Sequence, residues 1–125
     1  MPALAQCDPN VLQSDLAGLA NTTLTGILVG VGSIVLNFSD GSSVLVQCPF
    51  EALEGRTKTS GHGENPADSV ALFGLLNKSV SSADVNESHE ATLHFQEGGA
   101  IRIIPEHSGL ESYVVRTSNG VFPVT

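Results

Sequence analysis

The chain has 125 residues, 41% of them apolar and 14% charged, the make-up of a globular domain large enough to bury a core. Thirteen acidic residues against five Lys and Arg leave a formal net charge of −8. Such a field repels phosphate backbones and anionic lipid, so it argues against nucleic-acid and membrane-surface binding.

Two cysteines, Cys7 and Cys48, are too few for a disulfide framework and are expected as reduced thiols. The start, MPALAQ, has no basic stretch followed by an apolar one, so no secretory signal is expected. The apolar run at 26–38 falls short of the ~20 residues that a membrane span needs. The expectation is a cytoplasmic protein of a single domain, 1–125.

In chain order, residues 1–23 read as an N-terminal helical segment. Asp8-Pro9 is an N-cap with proline at the first helical position, Leu12, Leu16 and Leu19 follow at helical spacing, and Asn21 closes it. Residues 24–50 are the first half of a repeat. A strand at 24–31 leads through Gly32 into IVLNFSDGSSVLVQC at 34–48, two alternating apolar runs about a glycine turn, which is a hairpin signature. Gly26, Gly30 and Gly32 resemble a dinucleotide loop only superficially, because a strand follows them where that motif needs a helix.

The register of this hairpin follows from burial. A two-residue Asp40-Gly41 loop puts the apolar sets of its strands on opposite faces. A three-residue loop, Ser39-Asp40-Gly41, pairs Phe38 with Ser42, Leu36 with Val44 and Ile34 with Val46, and brings all the large residues to one face. The stretch returns 57 positions later (Ile34 onto Ala91) as ATLHFQEGGAIRIIP. The loop Gln96-Glu97-Gly98 then sets Leu93 opposite Ile101 and Ala91 opposite Ile103. The predicted core is Leu36, Phe38, Val44, Val46, Leu93, Phe95, Ile101 and Ile103.

Between the copies, residues 51–65 read as an irregular loop, rich in charge and glycine. Asn65-Pro66 then opens a helix at 66–77, with Asp68 in its first turn and with Val70, Phe73 and Leu76 on a stripe that Ala67, Ala71 and Leu72 widen, the face expected to lie on a sheet. Residues 78–125 are the second half: a weak strand at 78–85, a turn at 86–89, the second hairpin, and a strand at 111–117. Asn119-Gly120 is a strong hairpin dipeptide that pairs Thr117 with Phe122 and Val115 with Val124, so that Tyr113, Val115, Phe122 and Val124 share one face. The outward residues of the second repeat, Glu90, Thr92, His94 and Arg102, are polar. Those of the first, Val35, Asn37, Leu45 and Gln47, are half apolar and call for a cover, expected to be a helix of this chain. The resulting fold is α+β: a twisted, mostly antiparallel sheet or half-barrel of about seven or eight strands, built from two related β-hairpin halves with one or two packed helices.

No catalytic motif emerges. There is no G-x-S-x-G elbow, and Cys48 falls on the inward side of its strand, where nothing activates it. His62, His89, His94 and His107, with Glu64, Glu90 and Glu106 beside three of them, lack the spacing of a helical zinc site and read as scattered surface histidines, so neither metal nor cofactor is expected.

The paired Leu-x-Phe-x-Asp/Glu-Gly hairpins, the LLNKSV segment at 75–80 and Glu111-Ser112-Tyr113 together resemble a bacterial two-repeat domain family of unknown function. The resemblance covers residues 24–115. The Gly-rich strand at 26–32 and the long 51–65 segment depart from the family pattern. Some members of that family are thought to be toxin-immunity proteins, and the resemblance implies a binding module without cofactor. An acidic surface of this kind suits a basic toxin domain, whose phosphate-holding site it would occlude. The expected function is therefore a non-enzymatic protein-binding module, with its contact on Glu51, Glu54, His62, Glu64 and Asp68; Glu111 and Tyr113 are further candidates, though alternation with Val115 also makes Tyr113 a core-rim residue and leaves Glu111 a backbone amide to bond. The alternative is a small-ligand-binding or housekeeping domain.

Overall fold

The computed structural model describes residues 8–125 and is α+β, with one α-helix, one 3₁₀ helix and ten strands in two antiparallel sheets that do not close into a barrel. Helix α1 (Pro9–Ala17) starts as its sequence dictates: the Asp8 carboxylate accepts the Asn10 N–H at 2.8 Å, and Leu12 and Leu16 are buried. The strands are β1 (Leu24–Gly30), β2 (Ser33–Phe38), β3 (Ser43–Val46), β4 (Pro49–Glu54), β5 (Thr57–His62), β6 (Val80–Val85), β7 (Ala91–Phe95), β8 (Gly99–Ile103), β9 (Tyr113–Thr117) and β10 (Gly120–Val124).

Both repeated hairpins take the register that burial demands. Ile34 pairs with Val46 and Leu36 with Val44; Ala91 pairs with Ile103 and Leu93 with Ile101. The three-residue loops end on Gly41 (φ 89°) and Gly98 (φ 96°), left-handed positions that glycine fills without strain. All eight predicted core residues are at most 4% exposed. Burying each contributes about 1.5–3 kcal/mol.

The duplication extends beyond the hairpins. Each half runs helix, three-strand meander, hairpin: α1 then β1-β2-β3 then β4-β5, and the 3₁₀ helix (Pro66–Leu75) then β6-β7-β8 then β9-β10. Each meander carries the terminal hairpin of the other half, giving the orders β1-β2-β3-β9-β10 and β5-β4-β8-β7-β6. The halves are thus interlocked by strand exchange around a shared core.

Four expectations need correction. Residues 51–65 are not an irregular loop: β4 and β5 pair from Pro49↔His62 to Glu54↔Thr57 about a Gly55-Arg56 turn, with Phe50 and Ala52 alternating into the core. These two strands raise the count from the expected eight to ten. The second helix is 3₁₀ rather than α, and its period of three buries Ser69, Leu72 and Leu75. Of the stripe expected inward, Leu72 is buried and Ala71 packs against the core, while Val70 (65%) and Phe73 (45%) face outward. The terminal hairpin turns at Ser118-Asn119, pairing Thr117 with Gly120 and Val115 with Phe122. That slip of two keeps Tyr113, Val115, Phe122 and Val124 on one face, because two is the strand period.

Finally, no helix among the described residues covers the outer face of the first sheet. Helix α1 packs on β6, while the 3₁₀ helix packs on β5 and β1 with Leu72 and Leu75 in the shared core.

Candidate functional site

That uncovered face is the most distinctive surface of the molecule. Strand pairing sets Leu28 beside Val35, Val35 beside Leu45, Leu45 beside Val114 and Val114 beside Pro123. An apolar row therefore crosses all five strands of the first sheet on the side away from the core, exposed at Leu28, half-buried at Val35, Leu45 and Pro123, and buried among its neighbours at Val114 (9% exposed). Its middle is the floor of a cavity of about 420 Å³ lined by Val35, Leu45, Val114 and Val121, with Arg116 on one rim and Glu111 on the other. No helix residue lines it.

At the Glu111 end the groove runs into an acidic pocket of about 230 Å³ formed by Gln47, Glu64, Glu106, Ser108, Leu110 and Glu111. Leu110 stands at its mouth, 75% exposed. Strand β5 delivers His62 to the same place. Its backbone N–H donates to Asp68 Oδ2 at 2.8 Å, and its Nδ1 accepts the Glu64 N–H at 3.1 Å. With Nδ1 used as an acceptor, the neutral ring carries its proton on Nε2. That atom lies 3.8 Å from Glu64 and 3.6 Å from Glu106.

The ligand atoms of His62, Glu64 and Glu106 lie within 4.8 Å of one another, close enough to hold a cation. The tautomer directs an N–H, not a lone pair, at the two carboxylates, so the arrangement suits a cationic hydrogen-bond donor better than a metal ion.

The remaining residues proposed from the sequence are dispersed. Glu51 lies on the outer face of the second sheet, bound to Lys58 (2.8 Å) and Arg102 (3.0 Å), and Arg102 also holds Glu90 at 2.7 Å. The hydrogen bond from Lys58, then those from Arg102, hold the Glu51 carboxyl below its ordinary range. Arg102 and then Asn86 do the same for Glu90, and the two glutamates raise Arg102 in turn. Glu51 is thus already neutralised within the chain. Glu54 sits apart, its carboxylate over Gly74 of the 3₁₀ helix. Tyr113 is fully buried and donates its hydroxyl to the His89 carbonyl at 2.7 Å, so its side chain is a core group and not a surface contact.

The structure therefore gathers His62, Glu64 and Glu111, tethers Asp68 to His62, and separates Glu51, Glu54 and Tyr113. The sequence marks Glu106 only as a neighbour of His107 and gives no sign of Val114, Arg116 or Val121 as site residues; the available signal was the half-apolar outer set of the first hairpin, Val35 and Leu45. Cys48, beneath this region, is fully buried, and burial together with the Glu106 charge pushes its thiol up to about 12. It stays protonated at neutral pH and offers no nucleophile. Cys7 lies outside the described residues.

Compared with protein-family models, curated proteins and solved structures, the chain matches none.

Proposed function

We propose that this protein is a non-enzymatic protein-binding module that seats a partner on the outer face of its first sheet. The observation that carries the reading is the continuity of an uncovered apolar row with a pocket bearing three carboxylates. Exposed apolar surface rimmed by polar groups is the signature of a contact site. The three carboxylates select a partner whose apolar surface adjoins a Lys or Arg, and the net charge of −8 speeds its encounter by steering. A basic toxin neutralised by an immunity protein is the narrower form of the same reading.

The test is association with the protein encoded by the neighbouring gene, measured by calorimetry at low and high salt. Leu45→Glu, which sets a charge in the middle of the apolar row, is expected to abolish binding without moving the unfolding midpoint. Replacing Glu64, Glu106 and Glu111 by Gln is expected to weaken it and to flatten its salt dependence. A complex indifferent to both changes would refute the site.

A second reading, small-ligand binding, is favoured by one feature. A groove of about 520 Å³ between α1 and β10 is lined by Asn10, Val11, Ser14, Asn119, Phe122 and the 6%-exposed Asp15. Among the described residues the Asp15 carboxylate meets neutral donors alone, Thr117 Oγ1 (2.8 and 2.9 Å) and Asn119 Nδ2 (3.2 Å). A carboxylate with spare acceptor capacity beside an aromatic ring suits an ammonium or guanidinium group. Native mass spectrometry of the purified protein for a retained amine separates this reading from the first.

A further inference from the structure

We infer that β1 is a dimerisation edge, pairing antiparallel with β1 of a second copy across a two-fold axis at Leu28, so that two five-stranded sheets join into one. This contact lies on a strand edge, and it stands whether or not the outer face binds a partner.

The two sheets have four edges: β1 and β10, β5 and β6. Exposed edges are templates for another chain, and native proteins block them with charge, proline or covering groups. Three of these edges are blocked. On β10, the closing pair Gly120↔Thr117 turns the backbone of position 123 toward solvent, and Pro123 has no N–H to offer there. On β5, Lys58 supplies charge, and Asp68 takes the last amide, that of His62. On β6, the Gln13 side chain acts as a short substitute strand. Its Nε2 donates to the Ala83 carbonyl (3.0 Å), and its Oε1 accepts the Val85 N–H (2.7 Å).

Among the described residues, strand β1 has none of these devices. From Leu24 to Val31 it carries no charge and no proline. Beyond Leu24, whose N–H and carbonyl bond to Lys78 and Asn77, no described backbone group outside the β1–β2 ladder bonds to it. The duplication makes the gap explicit. Ile27 faces Leu36 as Ala83 faces Leu93, and Val29 faces Ile34 as Val85 faces Ala91. Ile27 and Val29 therefore present to solvent the same backbone groups that Gln13 covers in the other half. Leu28, 62% exposed, occupies the place of Asp84. Val29 is on the core side of its strand yet 38% exposed, and Val31 is wholly exposed.

The local sequence selects a second copy as the occupant. Gly26-Ile27-Leu28-Val29-Gly30 reads nearly the same in both directions, which is what an isologous antiparallel contact requires. Pairing about Leu28 places Gly26 opposite Gly30, Ile27 opposite Val29, and Leu28 opposite its own equivalent. The free N–H and C=O groups of Ile27 and Val29 then bond each other across the seam. Like faces meet like faces, and the apolar row of each outer sheet face runs on into that of the partner. No charge lies at the seam, so the mutual repulsion of two chains at −8 acts only at a distance, where salt screens it.

The test is sedimentation equilibrium of the full chain over a range of concentration and salt. The wild type is expected to dimerise, and to do so no less tightly as salt rises, opposite to a complex with a basic partner. Leu28→Lys and Leu28→Glu place like charges opposite each other and are each expected to weaken the dimer at least about tenfold, while mixing the two restores it. Val29→Pro, which copies the Pro123 device and removes an outward N–H without touching the β1–β2 ladder, is expected to weaken it comparably. Leu45→Glu leaves the dimer intact, which separates this contact from partner binding at the outer face. A wild type that stays monomeric at every soluble concentration would overturn the inference. So would charged variants that dimerise like the wild type, or a mixture that fails to recover.

Discussion

Gln13 is the residue whose removal most sharply tests how the two halves are joined. Its amide reaches from α1 to the edge of β6 and makes two hydrogen bonds there, at 3.0 and 2.7 Å, across a sequence gap of about 70 residues. Each neutral bond contributes about 0.5–1.5 kcal/mol net. The β6 groups lie at an edge where water can replace the lost amide, so Gln13→Ala should cost about 1–2 kcal/mol in total. For a 125-residue chain the unfolding entropy is about 0.26 kcal/mol/K, so the melting temperature should fall by roughly 4–8 °C. Amide hydrogen exchange localises the effect: the Val85 N–H should lose protection in the variant while amides in the β2–β3 ladder keep theirs. An unchanged melting temperature together with an unchanged Val85 amide would refute the bridging role.

Other outcomes follow from the same packing and electrostatics. Phe38→Ala and Phe95→Ala, at positions 3% and 4% exposed, should each lower unfolding free energy by about 3–5 kcal/mol in urea titrations. Cys48 should resist a soluble thiol reagent at pH 8 until the chain unfolds. Because its folded pKa of about 12 exceeds the unfolded value, the unfolded thiol ionises first, and stability should fall as pH rises from about 9 toward 12 in the wild type but not in Cys48→Ala. Glu51 and Glu90 have depressed pKa values, so their contribution is present above the unfolded glutamate value and is lost as pH falls through their folded values. Arg102→Met should therefore be less stable than the wild type at pH 7, by under about 1.5 kcal/mol since the arginine is 42% exposed, and the difference should vanish in acid.

How much of this was legible in the sequence depended on whether one face alone was apolar. The repeated hairpins were, because Leu36, Phe38, Val44 and Val46 alternate with polar residues and only one loop length brings them together. The hairpin at 49–62 was hidden because its second strand, TKTSGH, is an exposed edge with no apolar alternation. Its signal was the order of the second half, where a terminal hairpin follows the repeat. The 3₁₀ helix defeated periodicity because ADSVALFGLL is apolar on both candidate faces. Ser69, whose hydroxyl bonds the Pro66 carbonyl at 2.7 Å, enters the buried side without a penalty that sequence would reveal. The acidic contact was only half legible. Glu64 and Glu111 do converge, but the Glu106 that joins them lies 42 positions after Glu64, and the cations that neutralise Glu51 come partly from β8.

The most direct test of the outer-face contact is methyl NMR of the protein titrated with the product of the neighbouring gene. Shift changes are expected at Val35, Leu45, Val114 and Val121, extending to Leu110 beside the acidic pocket, with the core methyls of Leu36 and Leu93 little changed. A footprint centred instead on the Lys58–Glu51–Arg102 face of the second sheet, or no footprint at any salt concentration, would contradict that contact.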